Sequence, residues 1–248
     1  MYINDIVYYA LSALAVLIIL PVHEFAHAYA AYKMGDSTAK NLGRLTLNPI
    51  RHFDPLGAIC MVFLRFGWAK PVPINPRNFK NPKRGFAITA MAGPLSNLIM
   101  AFFSSFIYLL LYAIFRRMVF PSEFVLSLAQ NTLLFFMIFH LINLSLAVFN
   151  LIPVPPLDGS RILSVVLPPK TYFGIMKYER QIYYGLLIWL IGGPFITNAL
   201  LSLPIIARSP ALSTVASYLS LSNILGTIVS FISEAFMSFW GLIPFLKA

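Results

Sequence analysis

Residues 18–31 of the chain read IILPVHEFAHAYAA, an apolar run interrupted by two histidines and one glutamate. They belong to a longer apolar stretch, Ile6–Ala31, which is long enough to cross a lipid bilayer as one helix. Residues i and i+4 share a helix face, so His23 and His27 can bind one Zn²⁺ ion while Glu24 approaches a water molecule. Because such side chains are costly in hydrocarbon, we predict a buried metal site; the alternative is polar contacts that hold helices together.

The rest of the chain is also apolar, with 59% hydrophobic and only 10% charged residues. A fifth membrane span is expected within Ala211–Leu246, although the Ser-rich first half of that stretch could instead lie along the membrane surface. We therefore predict an all-α polytopic membrane protein with about five transmembrane helices, forming a single domain over residues 1–248 with its core at 6–162 and additional helices at 181–248. The four clearest spans are Ile6–Ala31, Phe86–Phe115, Phe124–Phe149 and Ile182–Leu203.

The positive charges are concentrated in two loops, which accounts for the net charge of +10 without nucleic acid as a partner. Ten of the 18 Lys and Arg residues fall between Lys33 and Arg84, and four more lie between the third and fourth spans. The positive-inside rule places both loops in the cytoplasm, next to the headgroups of the lipid bilayer. We expect a multi-pass protein of the cell membrane with its N-terminus outside and its active site toward the cytoplasmic side.

An irregular, proline-rich segment, Asn48–Pro82, separates the first two spans. Its apolar part, Leu56–Phe66, is too short to cross the membrane as a helix. We predict a short membrane-associated β-hairpin or re-entrant segment there, beside a cavity that satisfies its backbone groups. For His52 and Asp54, a role in ordering this loop is favoured over a role in modulating the site.

A third metal ligand is needed, because a catalytic zinc usually takes three protein ligands and leaves one position for water. The third span ends in the sequence Asn150-Leu-Ile-Pro-Val-Pro-Pro-Leu-Asp-Gly159, whose prolines forbid a regular helix. Asp158 is the acidic residue of this segment, and we expect it on the same side of the membrane as His27. The alternative role for Asp158 is a turn or a helix N-cap, and both roles can hold at once.

Three motifs in the chain resemble those of the site-2 proteases, a family of intramembrane zinc metalloproteases. The resemblance covers Val22–Ile162. Some relatives carry a periplasmic peptide-binding domain or a cytoplasmic nucleotide-sensing domain, for which this chain has no room, so it resembles a minimal form. The motifs are His23-Glu24-Phe25-Ala26-His27, Ala92-Gly93-Pro94-Leu95-Ser96-Asn97 at the opening of the second span, and Asn150 to Gly159.

The resemblance implies one Zn²⁺ ion bound by His23, His27 and Asp158, with Glu24 as the general base that activates the attacking water. It also implies that Asn150 lies near the metal, where its amide could donate to the substrate or the oxyanion; a polar role at the helix end is the alternative. The implied substrates are membrane-tethered proteins with a transmembrane helix, cut in regulated intramembrane proteolysis.

Two other functions fit an intramembrane cluster of His and Asp residues. One is a zinc-binding scaffold that holds substrates without cutting them, although a scaffold has no need of Glu24. The other is a transporter, but the chain lacks the paired repeats common in transporters. Elsewhere, His140 is expected to form hydrogen bonds between helices, with Asn143 as one candidate partner, and Asn97 to bond across helices beside the small residue Gly93.

Overall fold

The computed structural model describes residues 3–55, 57 and 70–246, and within them the secondary structure is helical. Two short 3₁₀ turns, Pro76–Asn78 and Pro244–Leu246, accompany the α-helices. In chain order the α-helices are α1 (Ile3–Met34), α2 (Thr38–Asn41), α3 (Pro49–His52), α4 (Pro82–Phe115), α5 (Glu123–Asn150), α6 (Asp158–Val166), α7 (Pro169–Met176), α8 (Glu179–Leu201), α9 (Pro204–Ala207), α10 (Pro210–Ser217) and α11 (Leu221–Trp240).

Five of the described helices, α1, α4, α5, α8 and α11, are long and apolar enough to cross a membrane. This confirms the predicted multi-pass, all-helical fold. The fifth span is α11, and the Ser-rich residues before it form the separate short helix α10 rather than extending the span.

Sequence signals mark where the central helices begin and end. The side chain of Asn81 accepts a hydrogen bond from Arg84 N at 3.1 Å, and Pro82 follows, so α4 begins there. The expected loss of regular helix after the third span is present, because α5 ends at Asn150 and α6 begins only at Asp158. The Ala92–Asn97 motif lies well inside α4 rather than at its start, since the helix begins earlier than predicted.

The core lies where α1, α4, α5 and α11 meet. Ala15, Ile19 and Ile138 form one buried cluster, and Ala101, Leu144 and Val229 form another. Small residues at these contacts let helix backbones approach closely, as membrane helices require in the absence of a hydrophobic driving force.

A buried histidine joins three of these helices, as predicted for His140. Its Nδ1 donates to Ala101 O at 2.9 Å, and its Nε2 contacts Ser233 Oγ at 2.9 Å. The predicted partner was wrong, however, because the side chain of Asn143 donates to Phe139 O on its own helix. Since this histidine joins α4, α5 and α11, it has a structural role at this level of the bundle.

The loop after α1 is organised by Asp36, a buried acidic residue. Its carboxylate accepts hydrogen bonds from Thr38 N and Oγ1, from Asn75 N at 2.7 Å and from Asn78 Nδ2 at 2.8 Å. Burial raises the pKa of this carboxyl, but the hydrogen bonds outweigh it and hold the pKa below its usual value. Asp36 therefore ties the segment before α4 to the end of α1.

The predicted β-hairpin is not supported by the part of the proline-rich segment that the structure describes. Residues 48–55 and 70–82 contain α3 and a 3₁₀ turn, and no strand. Apart from Gly57, the proposed hairpin core Leu56–Phe66 lies outside the described residues.

The chain between α8 and α11 folds back along α8. Thr197 Oγ1 donates to Ala216 O at 3.4 Å, and Trp189 Nε1 donates to Leu219 O at 2.8 Å. At the start of α11, Leu221 packs beside Leu157. The helix α11 therefore begins near the level of α6 and runs in the same direction as α8.

Candidate active site

The three predicted metal ligands converge from distant parts of the sequence. The Nε2 atoms of His23 and His27 are 3.0 Å apart, and Asp158 Oδ2 lies 3.4 Å and 3.1 Å from them, respectively. Both histidines are buried, and Asp158 is only slightly exposed. The long α1 presents the two imidazoles one turn apart, and the break after α5 brings Asp158 to them.

The orientation of each imidazole is fixed by α4. His27 Nδ1 donates to Thr89 O at 2.7 Å, and His23 Nδ1 donates to Asn97 Oδ1 at 3.0 Å. With the proton on Nδ1 in each ring, both Nε2 atoms carry a lone pair directed at the carboxylate. Such partners for the second ring nitrogen are typical of histidines that bind metals.

This arrangement fits a zinc ion. A tetrahedral Zn²⁺ with ligand bonds of about 2.05 Å spaces its ligand atoms roughly 3.3 Å apart, close to the 3.0, 3.1 and 3.4 Å separations observed here. Two imidazole lone pairs and a carboxylate oxygen repel one another unless a cation lies between them. The donor set of two histidines and one carboxylate is one that catalytic zinc sites use.

Gly93 leaves room for the site from the α4 side. A Cβ atom at this position would lie 2.3 Å from His27 Nε2 and 2.6 Å from His23 Cε1, closer than side chains can pack. The sequence had indicated Gly93 only as part of a small face for helix packing. The structure adds that its missing side chain is what lets α4 lie against both imidazoles.

Asp158 is the first residue of α6, and Leu157 occupies the N-cap position instead. The N-cap role considered for Asp158 was therefore wrong, although a carboxylate in the first turn is still favoured by the helix dipole. Burial raises the pKa of the Asp158 carboxyl, but when the imidazoles of His23 and His27 are protonated at Nε2, their hydrogen bonds and charge have the larger combined effect and hold the pKa well below its usual range. The carboxyl is ionised near neutral pH, as a metal ligand must be.

Glu24 lies on α1 beside the ligands, and its side chain is bound by the segment between α3 and α4. Its Oε2 atom accepts a hydrogen bond of 3.0 Å from Val72 N, in the extended segment that precedes the 3₁₀ turn. No sequence pattern indicates this contact, because any residue except proline can supply a backbone amide and the two residues lie far apart in the chain.

Arg44 and His52, in the basic loop, hold the segment that carries Val72 in place. The buried Arg44 donates through one guanidinium nitrogen to Lys70 O and Pro71 O. Lys70 N donates to His52 O at 2.9 Å, and His52 Nε2 donates to Thr46 O at 2.8 Å. The loop-ordering role expected for His52 is thus confirmed, and Asp54 similarly accepts from Gly57 N at 2.8 Å.

Asn150 is not brought into contact with the three ligands. It is the last residue of α5, and its Nδ2 atom donates to Leu146 O at 3.0 Å, one turn back on the same helix. This geometry is the polar helix-end role that the sequence left open. This hydrogen bond uses one of the two Nδ2 hydrogens, so the second one and Oδ1 are left for other partners.

Comparison with known proteins points the same way as the geometry. The chain matches peptidase family M50 over residues 11–191. It is 44% identical to "Putative zinc metalloprotease YwhC" of Bacillus subtilis (strain 168) over 74% of this chain and 82% of that protein. It is 31% identical to "Putative zinc metalloprotease Rip2" of Mycolicibacterium smegmatis, over 71% of this chain and 63% of that protein.

A more distant relative is "Zinc metalloprotease MJ0392" of Methanocaldococcus jannaschii, 29% identical over 71% of this chain but only 40% of that protein. No solved structure matches the chain. The family match covers well over half of the chain and includes the motifs that carry His23, Glu24, His27 and Asp158. The chain therefore belongs to peptidase family M50, the site-2 proteases that its motifs resemble, and is a zinc metalloprotease.

Proposed function

We propose that this protein cleaves transmembrane segments of membrane-tethered proteins, in regulated intramembrane proteolysis. The observation that carries the proposal is the convergence of His23 Nε2, His27 Nε2 and Asp158 Oδ2 on one point. Two of these ligands lie within a helix that can cross the membrane. A site at that depth meets peptide bonds of membrane segments more readily than those of soluble proteins.

The catalytic roles follow from what each side chain can do. A Zn²⁺ ion held by the two imidazoles and the carboxylate would polarise a carbonyl group and make water more acidic. Glu24 acts as general base, taking a proton from the attacking water, and then delivers a proton to the leaving amine. We assign the contact with the water to the other carboxylate oxygen of Glu24, since Oε2 already accepts from Val72 N–H.

Asn150 completes the proposed site. We place it close enough to the substrate to donate a hydrogen bond to the carbonyl that is attacked. One Nδ2 hydrogen of Asn150 is bound to Leu146 O on its own helix, and the second would make this donation.

The segment Lys70–Pro73, which contacts Glu24, restricts which hydrogen bonds it can form with the backbone of a substrate. Over Lys70–Pro73, the two prolines have no N–H, and the N–H groups of Lys70 and Val72 are already used by His52 O and Glu24. This short segment can therefore offer a substrate only carbonyl acceptors. Donors for an unwound substrate must come from elsewhere in Asn48–Pro82 or from Asn150.

The position of the site in the cell follows from the charge distribution. The basic loops on either side of the α4–α5 pair contain most of the Lys and Arg residues, and the positive-inside rule places them in the cytoplasm. We propose a cell-membrane protein with its N-terminus outside, its active site toward the cytoplasm, and one domain spanning residues 1–248.

The direct test compares Glu24→Gln with wild type in detergent or liposomes, using a purified single-span substrate. We expect the variant to keep its zinc, because Glu24 is not a ligand, and to cleave at least about 100-fold more slowly, since general base catalysis is removed. Zinc content measured on the same samples controls for folding. Cleavage at the wild-type rate by the variant would reject this mechanism, and zinc-dependent solute uptake without cleavage would favour a transporter.

A further inference from the structure

A polar stripe runs along the outward face of α11. Asn223, Thr227, Ser230 and Glu234 follow one another at intervals of four, three and four residues, so they share one face of the helix. All four are exposed, and with the exposed Gly226 they line a surface groove of about 630 Å³. The opposite face of α11 packs into the bundle through the buried Val229. Asn223 at one end donates through Nδ2 to Ser217 O at 2.9 Å, and the rest of the stripe points away from the protein.

Glu234 lies near the middle of the membrane. Its neighbour Ser233 contacts His140, which in turn donates to Ala101 O on α4. At 1.5 Å per residue, His140 is about 15 Å from the end of α5 at Asn150, and Ala101 is about 21 Å from the opposite end of α4. In a hydrocarbon core of about 30 Å, the carboxyl of Glu234 therefore lies far from both surfaces.

A carboxyl group at this depth is costly unless it faces a polar cavity or pairs with another group. Glu234 faces away from the bundle, and within the described residues it makes no hydrogen bond or ion pair. The hydroxyl of Thr227, by contrast, is satisfied within its own helix by Asn223 O at 3.0 Å. Glu234 on this face therefore still needs a hydrogen-bond donor or a cation as its partner.

We propose that the α11 stripe binds a transmembrane helix of a partner protein that carries a Lys or Arg near the bilayer midplane. The basic side chain pairs with Glu234, and Gly226 with the small hydroxyl residues lets the partner helix approach closely. The stripe is on a helix that supplies none of the metal ligands. The proposal concerns recruitment or control of the protease and does not depend on its cleavage chemistry.

A second copy of this chain does not meet the same requirement. Its Lys and Arg residues lie in loops or at the ends of the spans, with none in the central part of any predicted membrane stretch. Two parallel α11 helices in a symmetric dimer would instead place Glu234 against its own counterpart. Charge complementarity therefore favours a different protein as the partner.

The test uses two synthetic transmembrane peptides, identical Leu/Ala helices except for Lys or Leu at the central position. Binding to full-length protein is measured by fluorescence energy transfer in phosphatidylcholine liposomes. We expect wild type to bind the Lys peptide at least tenfold more tightly than the Leu peptide. Glu234→Gln should remove this preference, whereas Glu123→Gln, at an exposed acid outside the stripe, should keep it.

Exchanging the charges of the protein and the peptide tests for a gain of binding, which a misfolded protein would not show. Glu234→Lys should prefer a peptide with Glu at the central position, and zinc content equal to wild type shows that each variant is intact. Equal binding of the Lys and Leu peptides to wild type, or a preference that survives in Glu234→Gln, would overturn the proposal. Energy transfer between two labelled copies of the protein that is lost in Glu234→Gln would also overturn it, because the face would then serve self-association.

Discussion

Gly93 and the two histidines show how little space separates α4 from the metal site. A methyl group at position 93 would overlap the ring atoms that bind zinc. We predict that Gly93→Ala lowers zinc affinity roughly 5- to 150-fold, because relieving an overpacked contact costs about 1–3 kcal/mol. Equilibrium dialysis against a zinc buffer measures this loss.

The matched control for that substitution is Gly192→Ala on α8, where a Cβ atom meets nothing within 4 Å. Both changes add the same methyl group to a membrane helix. Equal zinc affinity in the two variants would show that α4 does not pack against the imidazoles as described.

For single residues, sequence patterns identified those with distinctive side-chain chemistry and missed those that act through the backbone. His23, His27 and Asp158 were predicted as ligands, and the structure brings them together. The contact of Val72 with Glu24 had no signal, because the donor is a main-chain amide. Arg44 was counted only as one positive charge of a loop, since a sequence does not show that a guanidinium is buried.

The segment Lys70–Pro73 connects the basic loop to the catalytic base. Arg44 holds its carbonyl groups, and Val72 N–H holds Glu24. We predict that Arg44→Gln lowers kcat about tenfold without loss of zinc, because Lys70 O and Pro71 O would lose a charged hydrogen-bond donor, worth about 1.5–3 kcal/mol, and the segment would shift. Steady-state cleavage kinetics and zinc analysis on the same preparation separate the two effects.

Arg51→Gln serves as the control, since Arg51 is an exposed arginine of the same loop. Its removal changes the loop charge equally and leaves the segment beside Glu24 in place. If both variants had the same kcat, loop charge rather than the support of Lys70–Pro73 would explain the effect.

The spans themselves were predictable because long apolar runs have few alternatives in a bilayer. The connections between them were not. The chain's return along α8 before α11 depends on contacts such as Trp189 with Leu219 O, which leave no periodic pattern. The β-hairpin was predicted for a proline-rich segment, and in the described parts of that segment two prolines instead begin the short helix α3 and the 3₁₀ turn.

For the whole molecule, the charge distribution predicts the orientation in the membrane. Val119 lies in the exposed turn between α4 and α5, and Lys80 lies in the basic loop. In a background where the single Cys60 is replaced by Ser, we predict that Val119→Cys reacts with a membrane-impermeant maleimide in intact cells. Lys80→Cys should react only after permeabilisation, because the basic loop is cytoplasmic.

Labelling of Lys80→Cys in intact cells, with Val119→Cys protected, would reverse the proposed topology. The charge distribution that supports this orientation was available from sequence, whereas the depth of the site was not. That depth depends on how far α5 continues before it ends at Asn150 and on where α6 begins.

The central claim is that two imidazoles of one membrane helix and a carboxylate from a separate segment hold one zinc ion. The most direct test is the zinc content of purified Asp158→Ala protein, measured by atomic emission beside wild type. We predict about one zinc per chain in wild type and a loss of most of it in the variant, since one of three ligands is removed. Full zinc content in folded Asp158→Ala protein would contradict the account.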